Sequence, residues 1–303
     1  MSEPGRVPST GARCWLLGPA NVLAAGVARL PQRALLAAGT LLHALAAPVL
    51  AGRRRIAARN IALCFPALDA AAQSRLLQST MRDNVTGLLE SLRGWFGRDA
   101  DLHDLVAIEG LEHLRAARAG GRGALLVTGH MPHLELGGRM LGLALREPLA
   151  IVARRNNRGC LQRFLEGARA RAFHQVIDKK DARGLLRTLS RGGVVAWAGD
   201  QDFNYQSAFV PFFGVPAATI SVMSQLGRRA DAAVLPYGFQ READGRYRLW
   251  IEPAWEPLPP AQDAARYMAW LERVVRRHPS QYLWVHRRFK TRPPGGPDLY
   301  SGQ

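Results

Sequence analysis

The chain has 303 residues, of which 48% are hydrophobic, and its 41 Lys and Arg outnumber 24 Asp and Glu to give a net charge of +17. That length and apolar content can bury a sizeable core, in one large unit or two modest ones, and they exclude a disordered chain. The charge favours anionic partners: nucleic acid, acidic carrier proteins, anionic membrane surfaces or phosphorylated substrates. Lys179, Lys180 and Lys290 are the only lysines. Cys14, Cys64 and Cys160 are odd in number and form no C-x-x-C pair, which predicts neither a disulfide framework nor a zinc site and fits a reducing compartment.

Residues 1–12 carry Pro, Gly, Ser and Thr and are expected to be disordered. The chain then turns apolar, and Ala34 to Gly52 holds 19 residues without a formal charge. As one helix this stretch would be about 28 Å long, close to the hydrocarbon thickness of a bilayer. A transmembrane or deeply interfacial anchor, a soluble core hairpin and a secretory signal all compete for it. The signal fits worst, because Arg53, Arg54 and Arg55 come after the apolar run instead of preceding it. That cluster also predicts a cytoplasmic location for the chain beyond it.

Ile56 to Arg98 reads as helical, with a break at Phe65-Pro66 and Asp69 as a cap. Leu105 to Ile108 begins the strands, and Gly110 to Ala119 is a short helical pattern. Three apolar runs come next, each ending in polar residues: Ala124 to Thr128 before His130, Leu149 to Ala153 before Arg154, and Val194 to Ala198 before Asp200 and Asp202. If the three strands are parallel, these polar residues gather at one edge of the sheet, where open α/β sheets bind ligands. Leu161 to Ala172 and Asp181 to Ser190 read as the intervening helices. Ala208 to Phe213 contains Pro211 and reads as a loop or edge strand. Ala217 to Arg228 reads as a helix, Ala232 to Gly238 as a strand forming a hairpin with Tyr247 to Ile251, and Asp263 to Arg277 as a final helix.

No G-x-S-x-G elbow, P-loop or H-E-x-x-H is present. His130, His133 and Glu135 match no standard metal spacing, so no metal and no cofactor are expected. Histidine titrates near neutrality, and a carboxylate on its far nitrogen would fix its tautomer, so His130 and Glu135 together could deprotonate a hydroxyl. A buried histidine bonded to an acid has the same spacing. Aromatic and basic residues interleave from Tyr282 to Lys290, a pattern that suits single-stranded nucleic acid, but no nucleic-acid module accompanies it and no nucleic-acid partner is expected.

The segment His130 to Glu135, with Leu136-Gly137 after it, resembles the H-x4-E signature of the lipid A biosynthesis lauroyl/myristoyl acyltransferases, relatives of the glycerolipid acyltransferases. Further blocks similar to that family are Arg59 to Pro66, Asp178 to Asp181, Gly199 to Asp202, Phe209 to Phe213 and Gln281 to Pro293. The resemblance implies an α/β fold, a mostly parallel sheet flanked by helices, with an N-terminal membrane-associated helical segment. It covers 53–297, taken as the acyltransferase domain, which with the composition of the residues before it leaves a disordered 1–12, a membrane-anchor helical segment at 13–52 and a tail at 298–303. It further implies an enzyme on the cytoplasmic face of a Gram-negative inner membrane. Acyl carrier protein would be its thioester donor and a hydroxyacyl chain of a phosphorylated glucosamine lipid its acceptor; a lysophospholipid or other glycolipid is the alternative acceptor. On this resemblance His130 is the general base, Glu135 its orienting partner, and Arg154, Asp200 and Asp202 bind substrate. His133 and Arg155 depart from the family pattern.

Overall fold

Four helices lead the chain: α1 (Leu17–Ala28), α2 (Gln32–Ala46), α3 (Ala51–Cys64) and α4 (Ala70–Phe96). The computed structural model describes residues 14–154 and 159–301; the expected disorder of 1–12, together with Arg155, Asn156 and Asn157, lies outside them. Asp69 caps α4 as predicted, its carboxylate accepting from the Ala72 amide at 2.7 Å. The uncharged stretch from Ala34 to Gly52 does not form one helix. It is divided between α2 and α3, whose axes bend by 106°. Among the described residues no single helix is long and apolar enough to cross a membrane, and α2 with α3 would qualify only as a bent pair. All three N-terminal helices pack on α4.

The rest alternates: α5 (Asp99–His103), β1 (Val106–Glu109), α6 (Leu111–Ala117), β2 (Gly123–Thr128), α7 (Leu134–Leu145), β3 (Leu149–Ala153), α8 (Gly159–Ala172), β4 (Gln175–Asp178), α9 (Ala182–Ser190), β5 (Val194–Ala198), β6 (Ser207–Phe212), β7 (Val215–Ile220), α10 (Met223–Ala230), β8 (Ala232–Arg241), β9 (Tyr247–Ile251) and α11 (Pro260–Arg277). Seven strands form one sheet in the order β1-β9-β8-β2-β5-β3-β4. Every pairing is parallel except the β8–β9 hairpin. The expected α/β architecture, a mostly parallel sheet flanked by helices, is therefore present.

Central β2 is buried at all six positions, which is why its sequence is a continuous apolar run and not an alternation. One face of the sheet carries Leu125, Val127, Val195 and Trp197 into a core with Ile56 and Ile61 of α3, Met223 of α10 and Leu271 of α11. The other face carries Ala124, Leu126, Val194 and Ala196 against Leu136, Met140 and Leu141 of α7 and Ala168 of α8.

Two expectations need correction. Residues 217–220 belong to β7, which pairs with β6 in a separate antiparallel ribbon from Ser207↔Ile220 to Phe212↔Val215. Pairing with β6 overrides the helix preference of Ala217 and Ala218, and the helix begins only at Met223. The cysteines are also not all unpaired. Cys14 and Cys160 form a disulfide across 146 residues of sequence, because α1 and α8 pack together, an approach that sequence spacing does not reveal. Cys64 is free and buried.

α4 lies against the turn after β2. A methyl group on Gly87 would stand 2.4 Å from the Pro132 carbonyl oxygen, and one on Gly94 would stand 2.9 Å from the Leu136 Cα. Both neighbours are backbone and cannot rotate away. Gly87→Ala should therefore destabilise the fold by about 1–3 kcal/mol through overpacking, measured as a lowered midpoint in denaturant unfolding; an unchanged midpoint would show that the helix and turn can separate freely.

Candidate active site

β2 ends at Thr128, whose register partner on β5 is Ala198. Two residues beyond each strand end stand His130 and Asp200, so the parallel register itself brings them together. The His130 amide donates to both Asp200 carboxylate oxygens at 3.1 and 3.0 Å. The His130 Nδ1 lies 2.5 Å from Asp200 Oδ1. On the other side the His130 carbonyl accepts from the Leu283 amide at 3.1 Å. Both ends of the residue are thus fixed.

Asp200 is only 2% exposed. Burial alone would raise its pKa, but the His130 charge, the His130 hydrogen bonds and a smaller contribution from Tyr282 outweigh it and hold the carboxyl at about 2. Asp200 is therefore an anion at neutral pH, and an anion on Nδ1 holds the Nδ1–H tautomer. The His130 Nε2 makes no hydrogen bond to the protein among the described residues, and the side chain is 26% exposed. The strand ends are locked by Tyr267, whose hydroxyl donates to the Thr128 carbonyl at 2.6 Å and accepts from the Gly199 amide at 3.1 Å.

His130 lines a cavity of 320 Å³ at the carboxyl ends of β2, β3 and β5. Arg154, Lys179, Gln201 and Asp202 contribute polar groups, while Leu134, Gly138, Ile151, Phe173, Ala196 and Tyr237 supply an apolar interior between α7, α8 and the sheet. A hydroxyl brought to Nε2 beside an apolar recess is the arrangement an alkyl-bearing alcohol would need.

Of the five site residues expected from the sequence, His130, Glu135, Arg154 and Asp202 line the cavity and buried Asp200 stands behind the His130 ring, but their pairing differs. Glu135 also borders the cavity, yet its carboxylate is held by other partners: Oε2 accepts from the Trp95 indole at 2.9 Å and Oε1 from Arg169 Nε at 2.9 Å. Glu135 lies in the first turn of α7, where α4 and α8 reach it. The carboxylate on the His130 ring is that of Asp200. Asp202 accepts from the Thr291 amide and hydroxyl at 3.1 and 2.7 Å, so it anchors the C-terminal segment as well as bordering the cavity. Its own amide donates to His286 Nε2 at 3.3 Å. Arg154 lines the mouth and makes no ion pair among the described residues. Arg169, Trp95 and Tyr267 were not anticipated, since each comes from a helix far along the sequence.

His133, three residues after His130, lies outside the cavity lining and is buried completely. Its Nε2 lies 3.3 Å from the Phe239 carbonyl oxygen, and its Nδ1, without a partner, lies 4.0 Å from Glu90 Oε2. Burial lowers its pKa, so it remains neutral and donates from Nε2. No group of His, Cys, Asp and Glu able to hold a metal ion occurs among the described residues.

The chain matches the family model for bacterial lipid A biosynthesis acyltransferases over residues 7–291. It is 36% identical over 277 residues to a lipid A biosynthesis palmitoleoyltransferase of Escherichia coli K12, covering 90% of both chains. It is 35% identical over 281 residues to a lipid A biosynthesis lauroyltransferase of the same organism, covering 90% of this chain and 91% of the relative. A more distant relative, a lipid A biosynthesis myristoyltransferase from that strain, is 23% identical over 252 residues, 80% of this chain and 76% of its own. With a family match across nearly its whole length and relatives of this similarity, the chain belongs to the bacterial lipid A biosynthesis acyltransferases and is an acyltransferase.

Proposed function

We propose that the protein transfers a fatty acyl chain from acyl carrier protein to a hydroxyacyl chain of a phosphorylated glucosamine lipid, a precursor of lipid A, with His130 as general base. The observation that carries this reading is the Asp200-bound His130 ring at the edge of a cavity with an apolar interior and a basic mouth. Nε2 removes the proton of the acceptor hydroxyl as its oxygen attacks the thioester carbonyl. Collapse of the tetrahedral intermediate breaks the carbon–sulfur bond, and the departing thiolate takes the proton back from the imidazolium. Asp200 stabilises that imidazolium without itself taking the proton. No acyl-enzyme is required. Arg154 and Lys179 supply cations at the mouth for phosphate or for an acidic donor.

Glu135 serves this reaction through Arg169, whose guanidinium it holds in the cavity wall. A partly buried ion pair of this kind fixes a long, flexible side chain in one place. The enzyme then sits at the cytoplasmic face of an inner membrane, seated through its N-terminal helices in the interface plane; the bend between α2 and α3, exposed Leu41 and Leu45 of α2 and exposed Val49 of the turn between the helices support that attachment.

Purified protein given acyl carrier protein thioester and a tetra-acylated lipid A precursor should yield a product heavier by one acyl chain, read by mass spectrometry. His130→Ala should lower kcat by about 10²–10⁴, and Asp200→Asn by at least about 10² with little change in KM. No product from the wild type would sink the reading, and full activity in His130→Ala would remove the base. Transfer to a lysophospholipid in preference to the glucosamine lipid would reassign the acceptor. Glu135→Gln and Arg169→Gln should each reduce kcat/KM, and the double variant should be little worse than either alone, with a coupling of about 0.5–3 kcal/mol; additive losses would show that the two act separately.

The loop carrying Asp200 and Asp202 also predicts a pH effect. Burial lowers the pKa of His286 to about 4 from an ordinary 6.5, against a smaller opposing influence from Asp200. Between those values the unfolded chain binds a proton that the folded chain does not, so stability falls as the pH drops from 6.5 towards 4. Protonation would also remove the acceptor for the Asp202 amide. His286→Gln should flatten this part of the profile of denaturation midpoint against pH, and an unaltered slope would place its origin elsewhere.

A further inference from the structure

The elbow between α2 and α3 closes over α4 and leaves a cleft of 560 Å³. Its floor is buried Leu77 and Met81 of α4, Ala58 of α3 forms a wall, and Arg54, Arg55 and His43 stand around it. It shares no lining residue with the active-site cavity. Arg54 and Arg55 make no side-chain hydrogen bond or ion pair among the described residues. Their neighbours on the same helix differ: Arg53 donates to the Val285 carbonyl at 3.2 Å and Arg59 to the Leu299 carbonyl at 2.9 Å. Two arginines are thus left free at the cleft, while the flanking ones are used to fasten the helix to the C-terminal segment.

A hydrocarbon floor below a cationic rim suits a molecule with an alkyl chain and an anionic head. A free phosphate would leave the floor uncovered, and a neutral lipid would leave the arginines uncompensated. The surroundings identify the source. From Pro4 to Leu68 the sequence contains no acidic residue, so the rim has no internal counter-charge nearby in the chain. Leu41 and Leu45 of α2 and Val49 of the turn after it are 63%, 70% and 86% exposed; they do not line the cleft but give the same elbow an outward apolar surface.

We infer that the elbow of α2 and α3 is a binding site for one anionic phospholipid of the bilayer, with an acyl chain against Leu77 and Met81 and the phosphate on Arg54 and Arg55. This site is separate from the acyl-transfer centre and does not depend on the acceptor or donor proposed for it. A lipid held there would orient the chain on the membrane, because the phosphate fixes the depth of α3 and the alkyl chain fixes the elbow.

The full-length protein, purified in detergent and supplied with phosphatidylglycerol or phosphatidylcholine, should retain one phosphatidylglycerol per chain in native mass spectrometry and sediment preferentially with phosphatidylglycerol-containing vesicles. Arg54→Gln with Arg55→Gln should weaken binding to those vesicles by about 30-fold, as two interfacial cations contribute about 1 kcal/mol each. Ala58→Trp, which fills the cleft and keeps the charge, should abolish the retained lipid while leaving much of the vesicle binding; Ala47→Trp gives the same block if the first variant has a lowered thermal midpoint. The site is overturned if the double arginine variant binds vesicles like the wild type, or if both tryptophan variants keep a stoichiometric lipid. Release of the retained lipid by excess inorganic phosphate would overturn it in favour of a free-anion site.

Discussion

The contact between His130 and Asp200 is the interaction on which the active site depends, and it arises from strand register. β2 and β5 are parallel neighbours, paired from Ala124↔Val194 to Thr128↔Ala198. Both chains leave the sheet at the same level, so residues two beyond each end must meet. Asp200 then does three things with one carboxylate: it binds the His130 amide, sets the ring orientation, and supplies the negative charge that an imidazolium needs. Its burial would make such an anion costly; three hydrogen bonds from one residue offset that cost and keep it ionised. Tyr267 clamps the same two strand ends from α11, so the geometry does not rest on the loop alone.

Much of this was legible in the residues. β2, β3 and β5 appear as uninterrupted apolar runs because parallel strands buried on both faces have no polar side to spell out. The polar residues that end them mark the sheet edge, and His130, Arg154 and Asp200 do gather there. What could not be read was spatial order. In sequence β3 lies between β2 and β5, whereas in the sheet β5 lies between β2 and β3. Without that order, nearness in sequence made Glu135 the natural partner for His130. Glu135 instead faces Trp95 and Arg169, supplied by α4 and α8 on the helical layer. β7 shows the opposite limit: its alanines look helical until the pairing with β6 is known.

The N-terminal turn of α7 shows how a buried polar network can secure a site without touching it. His133 occupies the turn between His130 and Glu135, and its ring is bonded to the carbonyl of Phe239 on β8. Beneath it, Glu90 of α4 accepts from Arg241 and from the Tyr247 hydroxyl, each at 2.6 Å, and Arg241 also pairs with Asp83 at 2.5 Å. Burial disfavours charge on Arg241, but Glu90 and Asp83 outweigh it. α4 is thereby tied to β8 by ion pairs and to the α7 turn by the close approach of Gly87 to Pro132. Losing one partner would leave an uncompensated charge in a low-dielectric interior, which is far more costly than the pair is stabilising.

The internal use of arginine changes what the net charge of +17 means. Several arginines are consumed inside the fold. Arg288 is buried and donates to the Ala218 carbonyl and the Thr219 hydroxyl, fixing the β6–β7 ribbon. Arg241 and Arg169 hold carboxylates, and Arg53 and Arg59 hold carbonyls. These residues count towards the total, but part of their hydrogen-bonding capacity is already taken inside the fold. Among the described residues, cations without an internal side-chain partner include Arg154 and Lys179 at the mouth of the catalytic cavity and Arg54 and Arg55 at the elbow of the N-terminal helices. Composition alone signals an excess of positive charge. Locating the charges that the fold does not use shows where that excess meets a concave surface: beside a reactive histidine in one place and over the hydrocarbon floor of the elbow cleft in another.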